Sequence, residues 1–318
     1  MTAKSLPPMV FEPIIKPLPW GGRKLGELFG KPLPPDLPCG ESWEVVDLPD
    51  DQSTVASGPV AGKTLRELMD ERRDELLGPA KPLLGRFPVI FKLLDANQTL
   101  SVQVHPDAEA AARIGGGARP KTEAWYILQA EPGAVLYLGL NPGVTKEQFE
   151  KGIGQGKLEP LLRKVEVHAG DFVFLPAGTL HAIGAGIVLA EIQQASDTTY
   201  RVFDWNRLGL DGKPRQLHVG QALASVRLEY SGKPPHDSPA SGRPGIRCPE
   251  FLYEKIELER AGNTAIGAGL PSIVCCIGGE GEVEGGGENV RLGPGTTCLV
   301  PASCEALLSS EAGGEFLH

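Results

Sequence analysis

The chain has 318 residues, 41% of them hydrophobic and 22% charged, enough for two packed domains of roughly 150 residues each. Its formal net charge of −9 argues against a broad nucleic-acid or anionic-membrane surface, so an anionic ligand would need a local basic pocket. No apolar run reaches the roughly 18 residues of a membrane helix, MTAKSLPPMVFEPIIKP lacks the core of a signal peptide, and the six cysteines show no CxxC pairing; a cytoplasmic chain with reduced, buried thiols is expected.

Glycine and proline recur about every ten residues, as in a protein of many short strands joined by turns. Residues 7–60 read as short strands broken by PLPWGG and KPLPPDLPCG and ending in ESWEVVDLP, where Ser42 and Glu44 alternate with Trp43 and Val45. Residues 64–78 predict a helix over one end of a β core, with Leu65, Leu68 and Met69 at helical spacing, Thr64 as N-cap and Gly78 as stop. PVIFKLLDA (88–96) and TLSVQVHP (99–106) predict two strands hairpinned at Asn97-Gln98, and AWYILQA with AVLYLGL predicts another hairpin across Glu131-Pro132-Gly133. Residues 145–165 predict a helix opened by a Thr145/Gln148 capping box, after which HAGDFVFLPAGTLHAI and GIVLAEIQQ resume the sheet.

AGDFVFLPAGTLHAI at 169–183 is repeated in outline by GPGTTCLVPASCEAL at 293–307, with Gly170, Leu175, Pro176 and Ala177 falling on Gly295, Val300, Pro301 and Ala302. The second copy has Ala306 where the first has His181. With a Ser/Pro/Gly-rich linker at 230–245, this divides the chain into a metal-binding domain, 1–240, and a second domain, 241–318, without a metal site.

Gln103 and His105 stand two apart in an alternating stretch and so share a face. Glu123 and His181, arriving from neighbouring strands, complete a mixed nitrogen and oxygen set with no thiolate, suited to a catalytic Zn²⁺, Fe²⁺ or Mn²⁺ with an open position. Lys92 and Glu191 interrupt apolar strands where burial is costly without a partner; Lys121 shares the face of Glu123, and Arg201 suits a charge clamp. GIGQGK (152–157) and GGGARPKT lack the P-loop context, and no G-x-S-x-G surrounds any serine, Ser42 included.

The segments WGG, GESWEV, LSVQVHPD, KTEAWYIL, the LPAGTLHAI segment and SDTTYRVFDWNRLGLDGKPRQLHV resemble, in order and over the first 220 residues, the short bacterial type I mannose-6-phosphate isomerases. After about residue 240 only the internal repeat is recognisable. The resemblance implies a mainly β cupin fold of two jelly-roll barrels with a few inserted or capping helices, one zinc ion per chain, and interconversion of mannose 6-phosphate and fructose 6-phosphate through a cis-enediol. It makes Gln103, His105, Glu123 and His181 the metal ligands and Arg201 the catalytic arginine. It places Ser42, Lys92, Lys121 and Glu191 around the pocket, with Lys121 and Glu191 as candidates for moving the proton. HPDAEAAARI departs from the family's usual second acidic residue after HPD. The expected partner is a small sugar phosphate, with no nucleic acid and no membrane; no oligomeric state is assigned. An iron-dependent cupin oxygenase and a non-catalytic sugar-phosphate-binding cupin fit the same ligand set.

Overall fold

Alternating side chains along fully buried strands set up the architecture. The computed structural model describes residues 5–233, 236–267 and 269–318; Pro234 and Pro235 of the linker and residues 1–4 of the N-terminal segment lie outside the described residues. The fold is mainly β. Among the described residues there are four antiparallel sheets.

A six-stranded sheet runs in the order Ile14–Gly22, Cys39–Val45, Val89–Ala96, Ile187–Gln194, Glu123–Ala130, Phe172–Leu175. Facing it is a five-stranded sheet, ordered Tyr200–Phe203, Val102–Val104, His181–Ile183, Val135–Leu140, Leu162–Glu166. Trp125, Ile127 and Leu189 of the first meet Leu136, Leu138 and Ile183 of the second in one core. The other face of the six-stranded sheet, carrying Phe91, Leu93, Tyr126 and Val188, packs with the helix Leu65–Leu77 against Tyr253, Leu299 and Leu317 of a second six-stranded sheet. That sheet in turn covers a four-stranded one through Val274, Phe316, Val283 and Leu308. The first sheet is therefore covered on both faces, which is why its strands read as near-continuous apolar runs. No helix among the described residues is long and apolar enough to cross a membrane.

Helix Leu65–Leu77 has Thr64 as its N-cap, as expected, and Glu67 closes the cap reciprocally; Leu65, Leu68 and Met69 are buried. The helix opened by Thr145 and Gln148 stops at Gly154, well short of residue 165; glycines at 152, 154 and 156 remove helix propensity, and Leu162–Glu166 is a strand. Neither expected hairpin forms. Val89–Ala96 pairs with Ile187–Gln194 and Cys39–Val45, whereas Val102–Val104 pairs with His181–Ile183 and Tyr200–Phe203. Asn97-Gln98 and Glu131-Pro132-Gly133 carry the chain from one sheet to the facing sheet.

The internal repeat extends from sequence to topology. Strand Phe172–Leu175 follows Gly170 at φ 94° and leads through Pro176 to a strand starting at His181; Thr297–Val300 follows Gly295 at φ 81° and leads through Pro301 to a strand starting at Ala306. Both glycines occupy a left-handed turn that a Cβ would strain, and both times the chain crosses from a six-stranded sheet to its partner. The sheet of C-terminal strands is completed at its edge by Met9–Val10, which pairs with Thr297–Val300. A second tie is ionic: the Lys31 ammonium lies 2.7 Å from the Glu44 carboxylate and donates to the Gly295 carbonyl at 2.8 Å, both side chains being almost fully buried. Glu44→Ala strands that ammonium, and urea unfolding is expected to show a loss of about 3–5 kcal/mol; a loss under about 1 kcal/mol would mean that water replaces the carboxylate.

Candidate metal centre and its cavity

The site forms where the two facing sheets pinch together. Gln103 is cross-strand from His181 and from Arg201, and His105 follows at the end of the same strand. Glu123 opens a strand of the opposite sheet, paired with Leu175 and Gln193. His181 thus comes from a neighbouring strand, as expected, but Glu123 reaches across the sandwich. Ligand atoms of His105, Glu123 and His181 all lie within 4.8 Å of one another, and all three residues are fully buried.

Backbone carbonyls orient both imidazoles. His105 Nδ1 donates to Thr198 O at 2.8 Å and His181 Nδ1 to Thr179 O at 2.9 Å, which leaves each Nε2 with a lone pair. Those lone pairs face the Glu123 oxygens at 3.5 and 3.2 Å. Burial and the Lys121 charge, outweighing the attraction of Glu123, hold the His105 ring down to about 4; burial also lowers His181. Burial opposes the charge on Glu123, but Lys121 and the two histidines outweigh it and hold the carboxyl well below the usual range.

Three acceptors therefore converge without a donor. Among the described residues neither Glu123 oxygen nor His105 Nε2 makes a hydrogen bond; Lys121 Nζ lies 3.0 Å from Glu123 Oε2, a charge contact without hydrogen-bond alignment. A buried acceptor set of this kind fits a divalent cation, and the Gln103 amide, 3.3 Å from His181 Nε2, is placed to offer a fourth ligand.

A cavity of about 410 Å³ opens beside this group. Lys92 and Glu191, inward-facing on adjacent strands, line it. Lys92 Nζ lies 3.5 Å from Glu41, 3.7 Å from Glu191 and 4.3 Å from the Trp43 ring centroid. Burial disfavours its charge, but the Glu41 and Glu191 carboxylates outweigh burial and raise the Lys92 pKa. Glu191 accepts from Trp125 Nε1 at 2.9 Å; burial and the charge of Glu123 hold its carboxyl up at about 7, against the pull of Lys121 and Lys92. Arg201 lines the cavity with its Nε on Ser101 Oγ at 3.1 Å and Nη1 on the Gln216 carbonyl at 3.0 Å.

Ser42 is not at the cavity. Strand Cys39–Val45 turns Glu41 and Trp43 inward and Ser42 outward, where its hydroxyl donates to Glu44 at 2.6 Å beside Lys31. The period of two puts Glu41 and Ser42 on opposite faces, and the packing of the sheet gives the cavity the face of Glu41. Lys16, Ser101, Asp197, Arg215 and His218 also line the cavity and escaped the sequence reading. Ser101 shares the parity of Gln103, but the loop bringing Arg215 and His218 has no periodicity to read. Trp20, the first residue of WGG, also lines the cavity and lies over Gly40, where a Cβ would meet its ring at 2.5 Å.

The sequence model of the type I phosphomannose isomerase catalytic domain matches residues 10–131, a span that includes Gln103, His105 and Glu123. The mannose-6-phosphate isomerase of Streptococcus mutans serotype c is 37% identical over 290 residues, covering 89% of this chain and 88% of that protein. The probable mannose-6-phosphate isomerase GmuF of Bacillus subtilis (strain 168) is 41% identical over 226 residues, 71% of this chain and 70% of its own. The crystal structure of the mannose 6-phosphate isomerase from Bacillus subtilis superposes with a TM-score of 0.87 at 31% identity, covering 98% of this chain and 99% of that one.

The depressed His105 pKa makes a stability prediction for the metal-free protein. Its ring titrates near 4 when folded and near 6.5 when unfolded, so between those values the unfolded chain binds more protons and stability falls as pH is lowered. Urea unfolding of metal-free His105→Gln should lose about 2 kcal/mol less than the wild type between pH 7 and pH 5; equal losses would show that His105 is not buried in its neutral form.

Proposed function

The chain belongs to the type I phosphomannose isomerase family, and from that premise we propose that it interconverts mannose 6-phosphate and fructose 6-phosphate through a cis-enediol. One observation carries the reading: a buried His105, Glu123 and His181 group, in which both Glu123 oxygens and His105 Nε2 have no hydrogen-bond donor among the described residues, sits beside a cavity whose opposite side carries more arginine than carboxylate charge.

We assign Gln103, His105, Glu123 and His181 as ligands of one zinc ion, on the ground that neutral imidazoles with oxygen donors and no thiolate suit a catalytic zinc with an open position. A zinc ion there would polarise O1 and O2 of the sugar as a Lewis acid. Lys121 holds Glu123 and turns positive charge toward the sugar. Glu191, its carboxyl near neutrality, is placed to move the proton between C1 and C2, with Trp125 fixing one of its oxygens. Arg201 stabilises the charge that develops on oxygen in the enediol.

Charge matching favours one end of the cavity for the phosphate. Lys92 is balanced by Glu41 and Glu191, and Lys16 by Asp51. On the other side Arg207 and Arg215 share the one carboxylate of Asp204, at 2.7 and 2.6 Å, and Arg201 bonds only a hydroxyl and a carbonyl among the described residues. That side has cationic charge to spare, and a dianionic phosphate belongs against Arg215 and His218, leaving Arg201 to the enediol. Lys92 then serves the carboxylates rather than the phosphate.

Residues 1–240 carry this chemistry in our reading, and residues 241–318, with Ala306 at the place of His181, form a partner domain without a metal. The six free thiols, five of them buried, suit the reducing cytoplasm.

The zinc-loaded protein should turn over mannose 6-phosphate in a coupled assay, and chelation should abolish the activity; a verified zinc-loaded protein inert on this substrate overturns the reading. Arg215→Gln should raise KM about 10- to 100-fold, the worth of a charged hydrogen bond, with kcat changed far less. Glu191→Gln should lower kcat by about 10²- to 10⁴-fold at full zinc content, and the acid limb of kcat/KM near pH 7 should vanish with it. Persistence of that limb would assign the proton transfer to another group.

A further inference from the structure

Hydrogen-bond counting around Ser101 leads beyond this assignment. Ser101 is almost fully buried, lines the cavity, and precedes Gln103 by two residues on the same face. Its Oγ receives Arg201 Nε–H at 3.1 Å and donates to Gln103 Oε1 at 3.2 Å. Gln103 Nε2 stands 3.3 Å from His181 Nε2, which holds only a lone pair because the ring's proton is on Nδ1, donated to Thr179 O. The result is a relay of donors running Arg201, Ser101, Gln103, His181.

A cation at the His105, Glu123 and His181 group is incompatible with the last link of that relay. The His181 lone pair is then occupied, and an amide N–H aimed at it meets positive charge; only the amide oxygen can act as a ligand. Rotation of the Gln103 amide by half a turn presents Oε1 to the ion and NH₂ to Ser101. Ser101 Oγ has two lone pairs and one proton. With Arg201 and Gln103 both donating to it, both lone pairs are used, and the proton is freed toward the cavity that Ser101 lines.

We propose that Ser101 is a positioning residue that couples metal loading to substrate recognition: it holds the Gln103 amide with its oxygen toward the ion, and in exchange its own hydroxyl becomes a donor to an oxygen of the sugar phosphate. The proposal rests on the metal and isomerase readings above. It assigns the Ser101 hydroxyl two orientations, inward to Gln103 without metal and outward to the cavity with it.

Two measurements on four proteins test it: zinc affinity without substrate, by competition with a chromophoric chelator, and KM for mannose 6-phosphate at saturating zinc. Ser101→Ala should bind zinc about 10-fold more weakly or worse, the usual effect of removing a partner of a metal ligand, and should show a raised KM. Ser101→Thr, which keeps the hydroxyl, should recover both. Gln103→Glu should keep its zinc, but its second oxygen can only accept and so retains the Ser101 proton; KM should rise as in Ser101→Ala. The melting temperature of the metal-free proteins serves as the control for folding, and if Ser101→Ala melts lower, the threonine and glutamate variants decide by the same measurements. Zinc affinity unchanged in Ser101→Ala, or a wild-type KM in Gln103→Glu, overturns the coupling. The zinc arm needs no substrate, so inactivity of the wild type would sink the isomerase reading and still leave the Ser101 to Gln103 link decidable.

Discussion

The structure turns on a carboxylate, Glu123, that is buried between two sheets with no hydrogen bond to either oxygen among the described residues. An ionised group so placed is costly unless positive charge surrounds it. Lys121 supplies part of that charge, and the two neutral imidazoles, with their Nε2 lone pairs turned inward, leave room for a cation to supply the rest. The same carboxylate reaches further. It helps hold Glu191 near neutrality, and Glu191 with Glu41 keeps Lys92 charged in the interior. Glu41, Lys92, Glu123 and Glu191, four ionisable side chains on four strands, thus depend on one another, and the field at the candidate metal site also holds Glu191 near neutrality.

Such a network is possible because the six-stranded sheet is covered on both faces. Phe91, Leu93, Tyr126 and Val188 hold it to the second pair of sheets, and every alternate residue is free to carry charge into the cavity. The C-terminal strands contribute no ligand to the metal group among the described residues. Their part is to keep the outer face of the working sheet dry, which lets Glu41, Lys92, Glu123 and Glu191 stand on a rigid floor.

The sequence disclosed what acts locally. Thr64 with Glu67 and Thr145 with Gln148 cap helices through contacts within one turn, and the Gly170 and Gly295 turns repeat with their strands. The grouping of His105, Glu123 and His181 was legible because polar residues interrupt apolar runs there, where only a partner makes burial tolerable. Sheet membership was not legible, since it depends on pairing between distant strands; Asn97-Gln98 looks like a hairpin turn whether the chain returns beside itself or crosses to the facing sheet. Ser42 was misplaced by the same blindness: its parity was plain, but which parity faces the cavity is settled by the sheet packed behind it. The helix Ala108–Ile114, capped by Asp107, went unread because it is short and carries no apolar stripe.

The pairing of Met9–Val10 with Thr297–Val300 bears on how the protein is made. On the ribosome, residue 9 emerges long before residue 299, and at about 5–20 residues per second the wait is about 15–60 s. During that time Leu6, Met9 and Phe11, all buried in the finished protein, have no sheet to join, and the strand edge beside them is open to any other strand. The two sheets that carry Glu123 and His181 contain no strand after Tyr200–Phe203 and can form first, so the seam between Met9–Val10 and Thr297–Val300 closes late. Until Thr297–Val300 is available that open edge is exposed to misassembly, and holding the N-terminal segment apart is a natural task for a chaperone.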